Sequence, residues 1–421
     1  MKIAVDGALV ARYVGELAQF GAHGEGGVWR LVYSPEWVAA QDCVAGWCRE
    51  AGFDVRRDAV GSVWGRLEGT EGGRVIVTGS HIDSQTPGGR FDGALGVIGA
   101  VVAVRTLRKS FGAPRRPIEV VSLCEEEGSR FPEASFWGSR AITGQIGPRD
   151  AEQIRSADGE TIAEAMRSVG LDPALIPAAR RDDIEAFIEL HIEQGPILEE
   201  AGLAVGVVNA ITGLRHYLVE FVGRADHAGG RPMDTRLDPM PGAAEVITGV
   251  IEHARALGRP AVTTVGRMVV EPNLKAAVPG RVVFSVDARH PDREALLRLY
   301  DHHESLIRSV AKRQGLTASW KVVLEKEPRR SDAELVTAIE EVTRELEIGA
   351  MTMHSGGVHD AQRMADVTRA AMIFVRSRGG RSHTPEEFTS TDDAVAGITV
   401  LAAALHRLAY SSKASARPAI S

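Results

Sequence analysis

One histidine and two aspartates surround a glycine-rich turn early in the chain. His81 and Asp83 come shortly after the apolar residues 75–78, and Asp92 follows the glycines at positions 88 and 89. The apolar run predicts a buried strand, and the segment that starts at Ala94 predicts a helix. Imidazole and carboxylate groups are common metal ligands, and open α/β sheets bind their ligands where strands lead into helices. The pattern therefore predicts the start of a metal site.

Three further predicted strands end next to side chains that can bind metals. The strand at 118–123 leads into Glu126 and Glu127, the strand at 186–190 leads into His191, and the strand at 372–375 leads towards His383. A single histidine is more often a hydrogen-bonded structural residue than a ligand. Strand ends that converge on one sheet edge reverse that expectation, and the four together favour a metal centre.

A hydrolytic site with two metal ions needs a bridging carboxylate, terminal ligands on each ion, and a second carboxylate that can take a proton from water. The residues named above can supply all of these groups. Asp83 lies two residues after His81 and suits an acceptor that fixes the imidazole tautomer. Ligands of the histidine and carboxylate types favour Zn²⁺, with Mn²⁺, Co²⁺ and Ni²⁺ as alternatives.

The elements that position these residues predict two kinds of domain. Strand-like and helix-like segments alternate in the first half, which is typical of an α/β protein with a mixed sheet. From 213 the order becomes strand, helix, strand, strand, helix, strand, with one of these strands predicted at 261–270. We predict a catalytic domain at 1–212 and 330–421, and an inserted ferredoxin-like α+β domain at 213–329. Ser331 is predicted to open a helix through a capping box, and the polar tail from Ser411 to Ser421 is predicted to be disordered.

Composition narrows the class of protein. The chain has 421 residues, 44% of them hydrophobic, and a net charge of -7 with no run of basic residues. Nucleic acid is therefore not an expected partner. No stretch is apolar enough for a signal peptide or a membrane span, and the three cysteines form no Cys-x-x-Cys motif. We expect a cytoplasmic protein that does not bind membranes.

The motifs resemble the amidase (hydantoinase/carbamoylase) branch of the M20 metallopeptidase-like superfamily. This branch holds N-carbamoyl-L-amino-acid hydrolases, β-ureidopropionases and allantoate amidohydrolases. The resemblance covers nearly the whole chain and rests on GSHID at 79–83, GRFDGALGV at 89–97, EEEGSRF at 125–131, ELHIEQGP at 189–196, DHAG at 226–229, DARH at 287–290, HDAQ at 359–362 and SHTP at 382–385.

The resemblance implies roles for individual residues. His81, Asp92 and His191 would hold one metal, while Asp92, Glu127 and His383 would hold the other. Glu126 would be the general base that takes a proton from a metal-bridging water. His227 would steady the tetrahedral intermediate, with Asp83 supporting the catalytic set. The predicted substrate-binding residues are Gln194, Arg289, His216 and Asn273. The resemblance also implies a homodimer formed through the inserted domain, which would act as a lid.

Each of these roles has a plainer alternative. Glu126 could be a solvated carboxylate, although burial beside a ligand would make an uncompensated charge costly. His227 could be an ordinary turn residue. Arg289 could form a surface ion pair with Asp287 or Glu271, and such pairs are common and weak.

The sequence departs from the family's usual pattern in three places. Ala276 stands where an asparagine usually assists the arginine that grips the substrate carboxylate, and Thr384 follows His383 where asparagine is common. The family's Ser-Gly-Ala-Gly-His-Asp is SGGVHD at 355–360. The predicted metal chemistry is intact, whereas substrate recognition is predicted to be altered.

The sequence therefore predicts a binuclear metal amidohydrolase that cleaves the C–N bond of a small N-carbamoyl or related N-acyl amino acid or ureido acid. From a carbamoyl substrate, the released carbamate would decompose to CO2 and ammonia. An aminoacylase or dipeptidase of the same superfamily is the first alternative. A catalytically inactive binding protein on the same fold is an alternative of another class.

Overall fold

The computed structural model describes residues 3–411. The described residues divide into two compact units, of which the first contains residues 3–209, 331–353 and 359–411 and the second contains residues 210–330 and 354–358. The predicted insertion covered 213–329, whereas the second unit begins three residues earlier, ends one residue later and includes residues 354–358. The tail predicted to be disordered lies outside the described residues from 412 onward.

The strands of the described chain are short at the edges and long in the centre of each sheet. They are β1 Ala22–His23, β2 Gly27–Val28, β3 Asp54–Arg57, β4 Val63–Leu67, β5 Val75–His81, β6 Ile118–Leu123, β7 Ile184–Ile192, β8 Val205–Ile211, β9 Gly213–Val222, β10 Asp226–His227, β11 Val262–Thr264, β12 Met268–Glu271, β13 Ala277–Val278, β14 Arg281–His290, β15 Thr317–Lys326, β16 Arg329–Arg330, β17 Ala350–Ser355 and β18 Arg369–Val375.

The α-helices vary from one turn to six turns. They are α1 Gly7–Leu17, α2 Pro35–Glu50, α3 Ala94–Phe111, α4 Trp137–Ile142, α5 Pro148–Gln153, α6 Ile162–Ser168, α7 Ile197–Ala201, α8 Pro239–Leu257, α9 Arg293–Gln314, α10 Ala333–Glu345, α11 Asp360–Met364 and α12 Thr391–Ala409.

The first unit is built on a mixed sheet in which seven strands follow the order β8-β18-β7-β5-β6-β4-β3, and the short strands β16 and β17 both pair with β8. Its four central strands, β18, β7, β5 and β6, are parallel, whereas β8, β4 and β3 join antiparallel at the two sides. The central strands are buried along nearly their whole length, as expected for parallel strands covered on both faces. The predicted mixed α/β fold is confirmed.

Helices cover both faces of this sheet. A side chain at Gly99 of α3 would contact Leu190 of β7, so α3 packs on the face to which Leu190 points. The neighbouring Glu189 accepts a hydrogen bond from the backbone N–H of Ala361 in α11. Because consecutive strand residues point to opposite faces, α3 and α11 lie on opposite sides of β7.

The second unit is an antiparallel sheet with two long helices. The strand order is β11-β14-β9-β15, and β12 pairs with the far half of β14. Buried residues alternate along β9 and β14, and they pack against α8 and α9 through Phe221, Phe284, Val246 and Ile307. The single strand predicted at 261–270 is two strands instead, because residues 265–267 interrupt the pairing with β14.

The predicted capping box at Ser331 is wrong. Asp332 is the N-cap of α10, and its side chain accepts from the backbone N–H groups of Glu334 and Leu335. The Ser331 hydroxyl donates instead to the carbonyl of Val208 at 2.6 Å. Either residue can cap a helix, and here packing against β8 decided between the two.

Among residues 3–411, no helix is long and apolar enough to span a bilayer.

Candidate metal centre

The carboxyl ends of the four parallel strands bring the predicted ligands of the first unit together. His81 is the last residue of β5 and lies level with Leu123 at the end of β6. His191 lies near the end of β7, level with Phe374 of β18. Parallel strands end at the same edge, so the loops after β6 and β18 start beside these two histidines.

His81, Asp92 and His191 form the first ligand group, and all three are buried. Oδ1 of Asp92 lies 3.1 Å from Nε2 of His191 and 3.7 Å from Nε2 of His81. The Nδ1 atoms of His81 and His191 face backbone carbonyls at 3.1 and 2.9 Å. Since each Nδ1 faces a carbonyl, it carries a proton, and Nε2 is the ring nitrogen that faces the carboxylate of Asp92.

Asp92, Glu127 and His383 form the second group. Nε2 of His383 lies 3.3 Å from Oδ2 of Asp92 and 3.7 Å from Oε2 of Glu127. The side-chain amide of Gln85 donates to Glu127 Oε2 at 2.7 Å. The other oxygen, Glu127 Oε1, is buried and has no hydrogen-bond partner in the part of the chain that the structure describes.

The charges in both groups fit divalent cations. Burial and the charge of Asp92 raise the pKa of Glu127 to about 7. Burial alone would raise the pKa of Asp92, but His191 and His383 hold it well below its usual value. In the first group two Nε2 atoms and a carboxylate oxygen face one another, and a divalent cation could bind this set of donors. The donor set and the orphaned Glu127 oxygen therefore fit bound metal ions.

Glu126 lies beside the first group. Its Oε2 is 3.8 Å from Nε2 of His81, and its side chain is almost completely buried. Burial raises the pKa of Glu126 well above the usual glutamate value, the charge of His81 opposes that effect, and the charge of Glu127 adds to it. A carboxylate with a raised pKa next to a candidate metal position is suited to proton transfer.

Asp83 contacts both His81 and the loop that carries Glu126 and Glu127. Its carboxylate was predicted to accept a hydrogen bond from the His81 imidazole. In the structure, Nδ1 of His81 donates to the Asp83 backbone carbonyl instead, and Oδ1 of Asp83 lies 3.6 Å from Nδ1. Oδ2 of Asp83 accepts from the backbone N–H groups of Glu126 and Glu127, each at 3.0 Å. Asp83 therefore connects the end of β5 to the loop after β6.

Gln194 contacts a predicted ligand. It was predicted to bind substrate, and in the structure its side-chain amide donates to Asp92 Oδ2 at 2.7 Å. Three residues around the site, Gln194, Glu125 and His383, have φ values of 58°, 48° and 55°. Positive φ costs free energy for residues other than glycine and is concentrated at functional sites.

Sequence reasoning missed two residues that support Asp92. The Ser382 hydroxyl lies 2.6 Å from Asp92 Oδ2, and the buried Glu387 accepts from the backbone N–H of Asp92 at 2.9 Å. Ser382 is the first residue of the SHTP motif that contains His383, and Glu387 lies two residues after that motif. The sequence does not distinguish the buried Glu387 from the exposed Glu386 beside it. The only signal in the sequence was the position of Ser382 next to the predicted ligand His383.

A third group of possible ligands lies behind the first. Glu189, His191 and His359 are all buried and close together. However, Glu189 already accepts hydrogen bonds from the Ser80 hydroxyl at 2.7 Å and from the Ala361 N–H at 2.9 Å. Because both of its oxygens are used, Glu189 serves as an anchor for β5 and α11. Glu189 and His191 lie two residues apart on β7 and therefore point to the same face of the sheet, which was a signal for this group in the sequence.

The remaining predicted site residues lie in the second unit. Nδ1 of the exposed His227 accepts from the N–H groups of Gly229 and Gly230 at 3.1 and 2.8 Å, so the neutral ring carries its proton on Nε2. Asn273 is exposed on the loop before β13. The structure places both residues at the same end of the unit, because β10 pairs with β13.

His216 and Arg289 share one acceptor in the second unit. Nε2 of His216 lies 2.6 Å from Asp287 Oδ2, and the guanidinium of Arg289 makes two hydrogen bonds to the same carboxylate. These contacts lower the pKa of Asp287 to about 2, although burial alone would raise it. The alternative pairing of Arg289 with Asp287 is thus present, whereas Glu271 pairs with Arg281.

The profile of peptidase family M20/M25/M40 matches residues 77–407, and the chain belongs to this family. The chain is 40% identical over 402 residues to the allantoate amidohydrolase of Bacillus subtilis (strain 168), covering 95% of this chain and 97% of the relative. It is 38% identical over 395 residues to the N-carbamoyl-L-amino-acid amidohydrolase of Paenarthrobacter aurescens, covering 93% of this chain and 95% of the relative.

Solved structures agree with the family assignment. A crystal structure of an amidase of the hydantoinase/carbamoylase family from Burkholderia multivorans matches with a TM-score of 0.88 at 34% identity, covering 96% of this chain and 98% of that one. The predicted resemblance is confirmed. The chain is a hydrolase of the amidohydrolase type, which acts on amide or ureido C–N bonds.

Proposed function

We propose that the protein is a binuclear metal amidohydrolase that cleaves a small N-carbamoyl or related N-acyl amino acid or ureido acid. The observation that carries this proposal is the position of Asp92 between two ligand groups. Its Oδ1 faces His191 at 3.1 Å, and its Oδ2 faces His383 at 3.3 Å. A carboxylate that presents one oxygen to each group is suited to bridge two cations.

The residues that would hold the metals are His81 and His191 on one side, Glu127 and His383 on the other, and Asp92 between them. Histidine and carboxylate ligands favour Zn²⁺, and Mn²⁺, Co²⁺ or Ni²⁺ would also be accepted. When bound, such ions polarise a carbonyl and make water more acidic.

Glu126 is proposed as the general base. Its carboxylate takes a proton from the attacking water and then delivers it to the leaving nitrogen. Burial raises its pKa above the usual glutamate value, which favours the acid form that must protonate the nitrogen. The hydrogen bonds from its backbone and that of Glu127 to Asp83 hold the loop in place for this transfer.

His227 is proposed to donate a hydrogen bond to the oxygen that becomes negative in the tetrahedral intermediate. The two glycine N–H groups at Nδ1 fix the tautomer with Nε2–H, which is the donor that this role needs. The ring is exposed, so it is accessible to a substrate.

Arg289, His216, Asn273 and Gln194 are proposed to bind substrate. Arg289 donates two hydrogen bonds to Asp287 and one to the carbonyl of Gly356, so a substrate carboxylate would have to share a guanidinium that is already held in place. Arginine can bind a carboxylate through two donors at once, which suits an acidic substrate.

A metal-loaded activity screen tests the proposed function. Purified protein is stripped with a chelator, reloaded with Zn²⁺ or Mn²⁺, and assayed with N-carbamoyl amino acids, allantoate, ureidoglycolate, N-acetyl amino acids and dipeptides. We expect the ureido compounds to give the highest kcat/KM and the chelated protein to be inactive. The names of the two amidohydrolase relatives support this order.

Other outcomes of the screen would contradict the proposal. Preference for N-acetyl amino acids or dipeptides would identify an aminoacylase or a dipeptidase. Binding without turnover of any compound, at full metal content, would identify a binding protein. Activity that survives complete metal removal would exclude the role given to the ligand groups.

We also propose a homodimer formed through the second unit. The edge strand β15 is ten residues long and exposes Val322, Val323 and Leu324, which is the kind of edge that pairs with another chain. Light scattering coupled to size-exclusion chromatography should give twice the mass of the chain, and a monomer would contradict the proposal.

A cytoplasmic location stays a prediction, and the three free cysteines support it.

A further inference from the structure

The loop between β18 and α12 holds the most exposed of the candidate ligands. His383 has 48% of its side chain exposed and a φ of 55°, whereas the other four candidates are buried or nearly so. An exposed side chain on a loop is held less firmly than one on a central strand. Other contacts of the same loop must therefore fix where His383 points.

Glu387 makes those contacts from the interior of the loop. Its side chain is buried, and Oε1 accepts hydrogen bonds from the backbone N–H groups of Phe91 and Asp92 at 2.8 and 2.9 Å. Its Oε2 lies 2.8 Å from the Ser382 hydroxyl. The same hydroxyl lies 2.6 Å from Asp92 Oδ2. Glu387 and Ser382 therefore connect the loop of His383 to both the backbone and the carboxylate of Asp92.

The chain makes room for this connection at Gly89. A Cβ atom at that position would lie 2.3 Å from Oε1 of Glu387 and 2.5 Å from its Cβ. Real Cβ atoms do not approach so closely, and the second contact is with an atom that cannot rotate away. The glycine next to the metal-binding motif thus provides the space in which Glu387 sits.

We infer that Glu387 is a positioning residue, which acts through Ser382 and the Asp92 backbone to hold Asp92 and His383 in the geometry of the second metal position. The inference rests on the proposed two-metal function and adds to it a residue that touches neither substrate nor metal. Residues that orient metal ligands in this way are worth about tenfold to a hundredfold in metal affinity.

Zinc titration of the metal-free, full-length protein tests the inference. Zn²⁺ is added against a competing chelator to wild type, Glu387→Ala, Glu387→Gln, Ser382→Ala and the control Glu386→Ala. Glu387→Ala is expected to weaken binding of the second equivalent of Zn²⁺ by about tenfold or more, with a smaller loss for the first. Ser382→Ala is expected to weaken the same equivalent.

The glutamine variant separates positioning from charge. The amide oxygen of Gln can accept from the N–H groups of Phe91 and Asp92, while its NH2 group can donate to Ser382. Glu387→Gln is therefore expected to bind the second Zn²⁺ within a few-fold of wild type. Glu386 is exposed, and its contacts, an ion pair with Arg381 and a hydrogen bond from the Thr384 hydroxyl, reach neither ligand group. Glu386→Ala is therefore expected to leave both affinities unchanged.

The outcomes distinguish this inference from the function on which it rests. Wild type that binds only one equivalent of Zn²⁺ would overturn the two-metal proposal. Wild type that binds two equivalents, with Glu387→Ala binding the second equally well, would overturn the positioning role alone. A loss in Glu387→Gln as large as in Glu387→Ala would also overturn it. If Glu387→Ala does not fold, judged by circular dichroism of the metal-free protein, Ser382→Ala decides, and its unchanged second affinity would overturn the inference.

Discussion

Glu126 is the residue on which proton transfer depends. We predict that Glu126→Gln keeps its metal content near that of wild type, because Glu126 is not part of either ligand group. The amide cannot take a proton from water, so kcat should fall by on the order of 10²-fold or more. Metal analysis and steady-state kinetics on the best substrate of the screen measure both effects.

The control for this substitution is Glu133→Gln, which changes an exposed glutamate close to Glu126 in sequence. It should alter neither metal content nor kcat. Retained activity in fully metal-loaded Glu126→Gln would remove Glu126 from the proposed mechanism.

Ala276 is the residue predicted to replace the family's usual asparagine at the substrate carboxylate. It is exposed before β13, and its backbone carbonyl accepts from the N–H of Ala228. Ala276→Asn adds a donor without filling buried space, so we predict that carboxylate-bearing carbamoyl substrates bind more tightly by about 1 kcal/mol or more. The ratio of KM values between variant and wild type measures this change.

Ala276→Val is the matched control, because it adds side-chain volume without a hydrogen-bond donor. It should not lower KM. If KM is unchanged in a folded Ala276→Asn, the substrate carboxylate does not lie near this position.

At the scale of elements, the junction between β5 and α3 determines where His81 lies. Gly93 is the N-cap of α3, has a φ of 62°, and a Cβ atom there would lie 2.4 Å from the His81 ring. Gly93→Ala should therefore lower the free energy of unfolding by about 1–3 kcal/mol and also weaken Zn²⁺ binding. Urea denaturation and zinc titration measure the two effects.

Gly112 at the other end of α3 provides the comparison. Its φ is 77°, but a Cβ atom there would meet no other atom within 4 Å. Gly112→Ala should destabilise the protein through backbone strain and leave zinc affinity unchanged. Equal zinc affinities of the two variants would show that His81 does not depend on the glycine at the junction.

At the scale of the whole molecule, a buried histidine makes stability depend on pH. His303 is fully buried in the second unit, with Nδ1 2.6 Å from the hydroxyl of Tyr217. Burial, together with the charges of His302 and His253, lowers the pKa of His303 to about 3. The unfolded chain takes up a proton near pH 6.5, whereas the folded chain resists protonation down to about pH 3.

This difference in bound protons determines whether the free energy of unfolding rises or falls with pH. Above pH 6.5 the ring is neutral in both states, and its contribution to stability is fully present. As pH falls from there towards 3, the unfolded state binds more protons, so the free energy of unfolding should fall by up to about 1.4 kcal/mol per pH unit.

Urea denaturation of wild type and His303→Gln between pH 7.5 and 5 measures the contribution of His303 to the pH dependence of stability. The variant should show a shallower fall of stability with pH than wild type. His23→Gln, which replaces an exposed histidine, should keep the wild-type slope. Equal slopes in wild type and His303→Gln would contradict the assignment.

The amino-acid sequence by itself predicted much of the central sheet. Apolar runs gave the strands that contain or precede His81, Glu127, His191 and His383, because hydrophobic patterning is a local property. The ends of parallel strands must meet at one edge, so the convergence of these residues also followed from the sequence. The family resemblance then supplied the pairing of ligands into two groups.

Tertiary structure alone decided how the ligands are supported. The contacts of Asp83 with the loop after β6, and of Glu387 with Phe91 and Asp92, join residues that lie 43 and about 300 positions apart in the chain. The split of the 261–270 strand and the choice of Asp332 over Ser331 as a helix cap were decided in the same way. Hydrogen bonds between distant segments depend on how buried groups satisfy one another after packing, and local sequence patterns do not encode that outcome.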